Sequence, residues 1–290
     1  MIFHADTHSY YNGDEKYLGV TSTIGKMKQP TDWDQIAENY VNKKTRRELL
    51  EDLAKKWKIT FRQAREKWGN EEFTGPWIRT VWKDKSERAL AGGSFFHDWK
   101  EIQDSDTCFY NPVVNNKKTL LDLNELTDGT YLELGVYAHQ YYTCGQVDKI
   151  KFEGKYFDIS DYKTDAEKPS TETKAYWNSN TGRSEVKKFI SPLSHIPETN
   201  YYKHALQMST YSRMLELYKG YKCRSLTVKY VHTEYRHPLQ AGDDLVIHEE
   251  PEFDRVRVFL GLEDIELPYL KKEAEAILKY NRNAYRQKNR

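Results

Sequence analysis

This 290-residue sequence predicts an α/β fold, a central mixed β-sheet flanked by helices, on three observations. Apolar residues recur at helical spacing through residues 32–68, 84–102 and 200–218. Runs rich in Val, Ile, Tyr and Phe at 131–142, 146–152 and 156–162 read as three successive antiparallel strands. Strand-like runs return at 225–235, 245–249 and 255–260, after the third helical stretch, so strands and helices share one architecture.

In chain order, residues 1–30 hold short apolar runs broken at Asn12-Gly13-Asp14 and Gly25, which reads as a small hairpin laid against the main body. Between 32 and 68, Ile36, Tyr40, Leu49, Leu53 and Trp57 keep helical spacing, and a break near Lys58-Ile59-Thr60 makes two helices. The helix over 84–102 carries Ala89, Gly93 and His97 at i, i+4 and i+8, a stripe of small residues ending in a histidine. Residues 103–130 look irregular. The polar stretch 165–199 contains Asn178-Ser179-Asn180-Thr181-Gly182 and Pro169, Pro192 and Pro197, and reads as a mobile excursion. A closing helix is expected from about Glu266, and the last 20 residues hold seven basic and two acidic side chains. The expected organisation is an N-terminal hairpin and basic helical extension over 1–80, packed on a core over 81–290.

Composition limits the function classes. Lys and Arg number 45 and Asp and Glu 44, a formal charge of +1, which excludes a uniformly basic surface as the means of holding nucleic acid. The best local candidate is 41–90, where 14 basic face 8 acidic side chains and Trp57, Trp68, Trp77 and Trp82 are interspersed; for a charge run without further support an ordinary solvated helical face is the favoured reading. Cys108, Cys144 and Cys223 are odd in number and far apart, which suits a reducing compartment and cannot supply the four thiolates of an iron–sulfur cluster. The opening residues lack the layout of a signal peptide, and no apolar run approaches the roughly 18 residues that span a bilayer. A cytoplasmic chain without a membrane partner is the expectation.

The chemistry-bearing segment runs from Gly145 to Thr164 and reads as two strands joined at Gly154. A two-residue, Gly-first turn at Gly154-Lys155 pairs residues whose numbers sum to 309, setting Asp148 opposite Asp161. Directly opposed carboxylates repel unless a cation lies between them, and Mg²⁺ or Mn²⁺ bound by carboxylate oxygens resolves the conflict. Lys163 follows Asp161 by two residues and so shares its strand face. Two carboxylates, a divalent ion and an ammonium suit phosphodiester hydrolysis, although either aspartate alone also fits a solvated strand residue.

Four motifs in order resemble the PD-(D/E)XK nucleases, specifically the RecB-like exonucleases, a group that includes many phage-encoded members and the mitochondrial genome maintenance exonuclease. They are Gly93-Ser-Phe-Phe-His97 on a helix, Gly145 to Asp148, Asp161 to Thr164, and Gln207 to Tyr211. The openings His8-Ser9-Tyr10-Tyr11 and Gly19 to Ile24 are similar to phage-type members. The resemblance covers roughly residues 80–235 and implies a restriction-endonuclease-like core. It implies that His97, Asp148 and Asp161 ligate the metal, that Lys163 acts in catalysis, and that Gln207 and Tyr211 position substrate or site elements. Glu133, ahead of the Gly-x-x-Asp strand, is a secondary metal candidate. The implied activity is a DNA exonuclease of recombination, repair or replication, working on single-stranded DNA or free ends, in the host cytoplasm if phage-encoded. A catalytically silent DNA-binding or assembly protein on the same fold, an endonuclease and an RNA-directed nuclease remain open alternatives.

Overall fold

A computed structural model describes residues 1–173, 175–178, 182–218 and 220–288. Its elements in chain order are β1 (Ile2–His4), β2 (Ser9–Asn12), β3 (Glu15–Gly19), α1 (Val20–Lys26), α2 (Trp33–Asn42), α3 (Arg46–Trp57), α4 (Phe61–Trp68) and α5 (Gly75–Ser105). There follow β4 (Phe109–Tyr110), β5 (Lys117–Thr119), β6 (Gly129–Ala138), β7 (Thr143–Glu153), β8 (Tyr156–Lys163), β9 (Ala175–Asn178) and β10 (Arg183–Val186). The chain ends with α6 (Asn200–Leu215), β11 (Lys222–Arg236), β12 (Val246–Glu250), β13 (Arg255–Glu266) and α7 (Lys271–Lys288). It divides into two compact units, one of residues 1–29, 99–230 and 262–290, the other of 30–98 and 231–261.

The first unit is α/β, with a mixed sheet flanked by helices. β6, β7 and β8 are the three successive antiparallel strands read from the sequence. Parallel pairs join β8 to β11, β7 to β3 and β6 to β4, while β5, β1, β2 and β3 run antiparallel in that order. The β7–β8 register is the one a Gly-first turn dictates: Phe152 pairs with Phe157, Ile150 with Ile159 and Lys149 with Ser160. Gly154 has φ +60°, a conformation in which a side chain would be strained. Phe152, Ile150 and Asp148 alternate along β7 as Phe157, Ile159 and Asp161 do along β8, so the two aspartates continue an apolar stripe. The core joins these strands to α6 and α7 through Leu206, Met208, Met214, Ile277 and Leu278.

Several expectations shift at the edges of elements. Gly25 is not a turn: Val20, Thr23 and Ile24 are buried at helical spacing and make α1, while the true turn, Gly13-Asp14, closes the β2–β3 hairpin. The run 131–142 stops being a strand at Ala138, after which Tyr142 adopts φ +50° and reverses the chain. The break at 58–60 is present, with Thr60 capping α4, and a second one falls at Thr45, whose hydroxyl and Glu48 form a reciprocal cap on α3. The closing helix begins at Lys271 rather than Glu266, because β13 runs to Glu266 and Pro268 follows. Within 165–199, β9 and β10 pair as a hairpin, and Ser179, Asn180 and Thr181 of the Asn/Ser/Gly run lie outside the described residues.

In the second unit two of the four tryptophans of 41–90 belong to the core. Trp57 and Trp68 are buried, with ring centroids 5.5 Å apart, and Phe253 packs 5.6 Å from Trp57. Arg47, Arg62 and Lys83 pair with Glu51, Glu66 and Glu87 one turn ahead, so much of the local charge is neutralised in place. Among the described residues no helix is long and apolar enough to cross a membrane. Replacing Trp57 with Ala empties the centre of this cluster and is expected to destabilise the unit by about 3–5 kcal/mol, read from chemical denaturation followed by tryptophan fluorescence; an unchanged midpoint would show that the ring does not hold the unit together.

Candidate functional site

The site forms where the neighbours of β7 part company. One edge of β7 is covered by β6 from Thr143 to Phe152. On the other edge β3 pairs with Thr143 and Cys144, and β8 pairs only from Lys149 onward. Residues 145–148, the Gly-x-x-Asp motif, therefore face an opening between two diverging strands, the kind of gap at which open sheets accept ligands. The Asp148 carboxylate takes over part of the missing ladder by accepting a hydrogen bond from the Tyr162 amide, 2.9 Å from its Oδ2.

The opening leads into a cleft of about 480 Å³. Asp148, Asp161, Lys163, Gln207, Tyr211 and Glu133 all line it, so six of the seven residues singled out from sequence come together. Residues 7–10, 16–22 and Lys26 form another wall, which gives the His8 and Gly19 segments a place beside the site. His97 lies on α5, two residues before Trp99, where that helix enters the first unit. That end of α5 is tied down by Asp104, which accepts hydrogen bonds from Lys149 Nζ at 2.8 Å and Tyr162 OH at 3.4 Å.

Three carboxyl groups lie at neighbouring positions on three adjacent strands, with the β7–β8 ladder ending at Lys149–Ser160, one residue short of the pair Asp148 and Asp161 expected from the turn. Glu133 on β6 stands where the ladder would pair it with Asp148, between the pairs Leu132–Lys149 and Leu134–Val147. Its φ of +50° takes it out of the ladder, a strained conformation for a non-glycine residue that is worth about 1 kcal/mol or more. One carboxylate oxygen of Glu133 and one of Asp148 lie within 4.8 Å of each other. Burial, then the charges of Asp148 and Glu101, pushes the Glu133 carboxyl up to about 8, against the pull of Gln146 and Lys118.

Asp161 is 2% exposed, and its acidity is weakened by burial first and by Asp148 second. Its Oδ2 forms an ion pair with the Lys163 ammonium, yet this buried oxygen has no aligned hydrogen bond among the described residues. Burial opposes the charge on Lys163, but Asp161 and Asp148 together raise its pKa above the ordinary value, so the ammonium persists. On α6, Gln207 Nε2 donates to Tyr211 OH at 3.0 Å, one helical turn apart. Burial and then the Asp161 charge push the Tyr211 phenol up to about 12, so it stays neutral and keeps its hydroxyl proton. A Cβ on Gly145 would collide with the Tyr211 ring, which explains the glycine of the motif by close packing.

No family model and no curated protein matches this chain. The site thus stands on its own chemistry: three acidic groups, the ammonium of Lys163 beside them, Lys16 and Lys26 at the wall, and a polar helical face around one opening.

Sequence reasoning missed three partners. Gln146 donates to a Glu133 carboxylate oxygen and receives a 3.5 Å hydrogen bond from Tyr10 OH. Its signal was local, since it precedes Asp148 by two residues on one strand. Lys118 donates to the Glu133 carbonyl at 2.7 Å, and only the tertiary fold brings β5 there. Asp165, two residues beyond Lys163, meets the buried His204 of α6, with Nε2 to Oδ2 at 2.9 Å.

Two outcomes are expected. Gly145→Ala should force the Tyr211 ring outward and destabilise the unit by about 1–3 kcal/mol in urea melts, with wild-type stability counting against the packing argument. In metal-free protein the folded chain retains a proton on Glu133 that the unfolded chain releases near its ordinary value of 4.5. Stability is therefore fully present below that value and falls as pH rises to about 8, and Glu133→Gln should flatten this slope in pH-dependent melting curves.

Proposed function

We propose that the chain is a divalent-metal-dependent deoxyribonuclease of the PD-(D/E)XK, RecB-like kind that hydrolyses phosphodiester bonds from DNA ends. The observation that carries the proposal is the row Glu133, Asp148 and Asp161 across three strands, with Lys163 beside it in one cleft. The motif resemblance adds His97 as a nitrogen donor on α5.

The donor set fits Mg²⁺ or Mn²⁺. Carboxylate oxygens are what these ions take, and the acidity of Glu133 and Asp161, weakened first by burial and then by the charge of Asp148, is what a divalent ion would restore. The buried Asp161 Oδ2 already meets one cation, the Lys163 ammonium, and without an aligned hydrogen bond among the described residues it could also serve a metal ion. When bound, such an ion supplies charge neutralisation at a phosphate oxygen and makes water more acidic.

The chain's own groups do the rest. Asp148 and Asp161 hold the reacting phosphate's side of the cleft in fixed register, since both are anchored by strands rather than loops. Lys163 keeps its proton under the influence of both aspartates and can steady the attacking water or the charge that grows on phosphate. Gln207 and Tyr211, hydrogen-bonded to each other, offer neutral polar tips that orient the substrate without competing for the cation.

The decisive assay compares end-labelled linear DNA with a closed circle, with and without Mg²⁺. Stepwise loss from linear ends that stops on chelation is expected, and rapid cutting of the circle would reject end dependence. Asp161→Asn and Lys163→Ala should each lower the rate roughly 100-fold or more; if both process DNA like the parent, the catalytic account fails.

A further inference from the structure

Beside the cleft lies a second groove of about 710 Å³, formed by the N-terminal strands, α1 and the C-terminal helix α7. The two openings share Lys16, Leu18 and Lys26, so a continuous ridge of two lysines separates the carboxylate site from the groove. Both lysines are exposed, and neither joins an ion pair among the described residues. On the far side α7 contributes Tyr280, 38% exposed, and Lys288. Two acidic residues also border the groove, Asp14 and Glu15; Glu15 Oε1 accepts a hydrogen bond from Tyr285 OH at 3.0 Å, which ties it to α7.

We propose that this groove holds the continuing single strand of a DNA substrate whose terminal nucleotides occupy the cleft. The inference rests on the nuclease reading for what lies in the cleft, and it adds the path of the rest of the strand. Lys16 and Lys26 stand where the backbone must cross from one opening to the other, and each ammonium there meets a phosphate. Lys288 offers a third cationic contact, and the Tyr280 ring offers a face on which a base can stack irrespective of sequence. A polynucleotide fits this surface better than an acidic protein segment, because the groove offers an exposed aromatic ring beside its three lysines, the combination that holds single strands.

The test uses the full chain and labelled oligothymidylates of two lengths, a trinucleotide that the cleft can hold and a hexadecamer that reaches through the groove. Binding is followed by fluorescence anisotropy across a salt series in the Asp161→Asn background, and cutting of both oligonucleotides is followed with Mg²⁺ in the otherwise unaltered chain. Lys288→Ala, at a residue that lines the groove and not the cleft, should weaken the hexadecamer by about threefold or more and leave the trinucleotide unchanged. Its salt slope for the hexadecamer should be shallower by about 0.7, the share of one phosphate contact on a single strand. Tyr280→Ala should weaken the hexadecamer by about tenfold, the scale of one lost base stack.

An unchanged hexadecamer affinity and slope would overturn the groove, and so would losses of equal size for both lengths. Failure of the nuclease reading looks different: neither oligonucleotide is cut with Mg²⁺. A length-dependent loss without cutting supports the groove as a polynucleotide surface and removes the enzyme.

Discussion

Crowding of like charge in a buried place is the constraint around which the first unit is arranged. Asp148 and Asp161 stand at the ends of apolar stripes on neighbouring strands, and Glu133 joins them from the other side of β7. Three carboxyl groups so placed oppose folding when all are ionised, and the chain answers with Lys163, Gln146 and Lys118 set around them. The register of one hairpin governs this arrangement. A slip by one residue at Gly154-Lys155 would send Asp161 and Lys163 to the opposite face and put Ser160 and Tyr162 in their places.

What could be read in the sequence follows the range of the forces involved. The β7–β8 pairing was legible because a two-residue turn sets it locally, and Gly154 marked the turn. The Gln207–Tyr211 pair was legible as one helical turn. Glu133 was only half legible: it lies in a strand-like run, but its match to Asp148 depends on the reversal at 139–142, where Tyr142 rather than a glycine adopts the left-handed conformation. Lys118 had no local signal at all, since β5 reaches the site through the sheet, and Tyr10 was marked only by the likeness of its segment to phage-type openings. The fold class followed from periodicity, while helix α1 was hidden by a glycine that normally punctuates chains.

The second unit shows how the same residue types serve another end. Tryptophans amid basic residues suggest nucleic acid when read along the chain, yet Trp57 and Trp68 close a core with Phe253, and Lys67 lies 4.6 Å over the Phe253 ring. Basic side chains there cover aromatic surface and pair along their own helices. Charge runs carry information about partners only after these internal claims on each side chain are counted.

The left-handed backbone of Glu133 has an evolutionary consequence. Glycine or asparagine would relax that residue, and removing its carboxyl would also relieve repulsion with Asp148. Selection for thermal robustness alone would thus drift toward losing the acid at this position, and a lineage that keeps it is being held there by something other than folding.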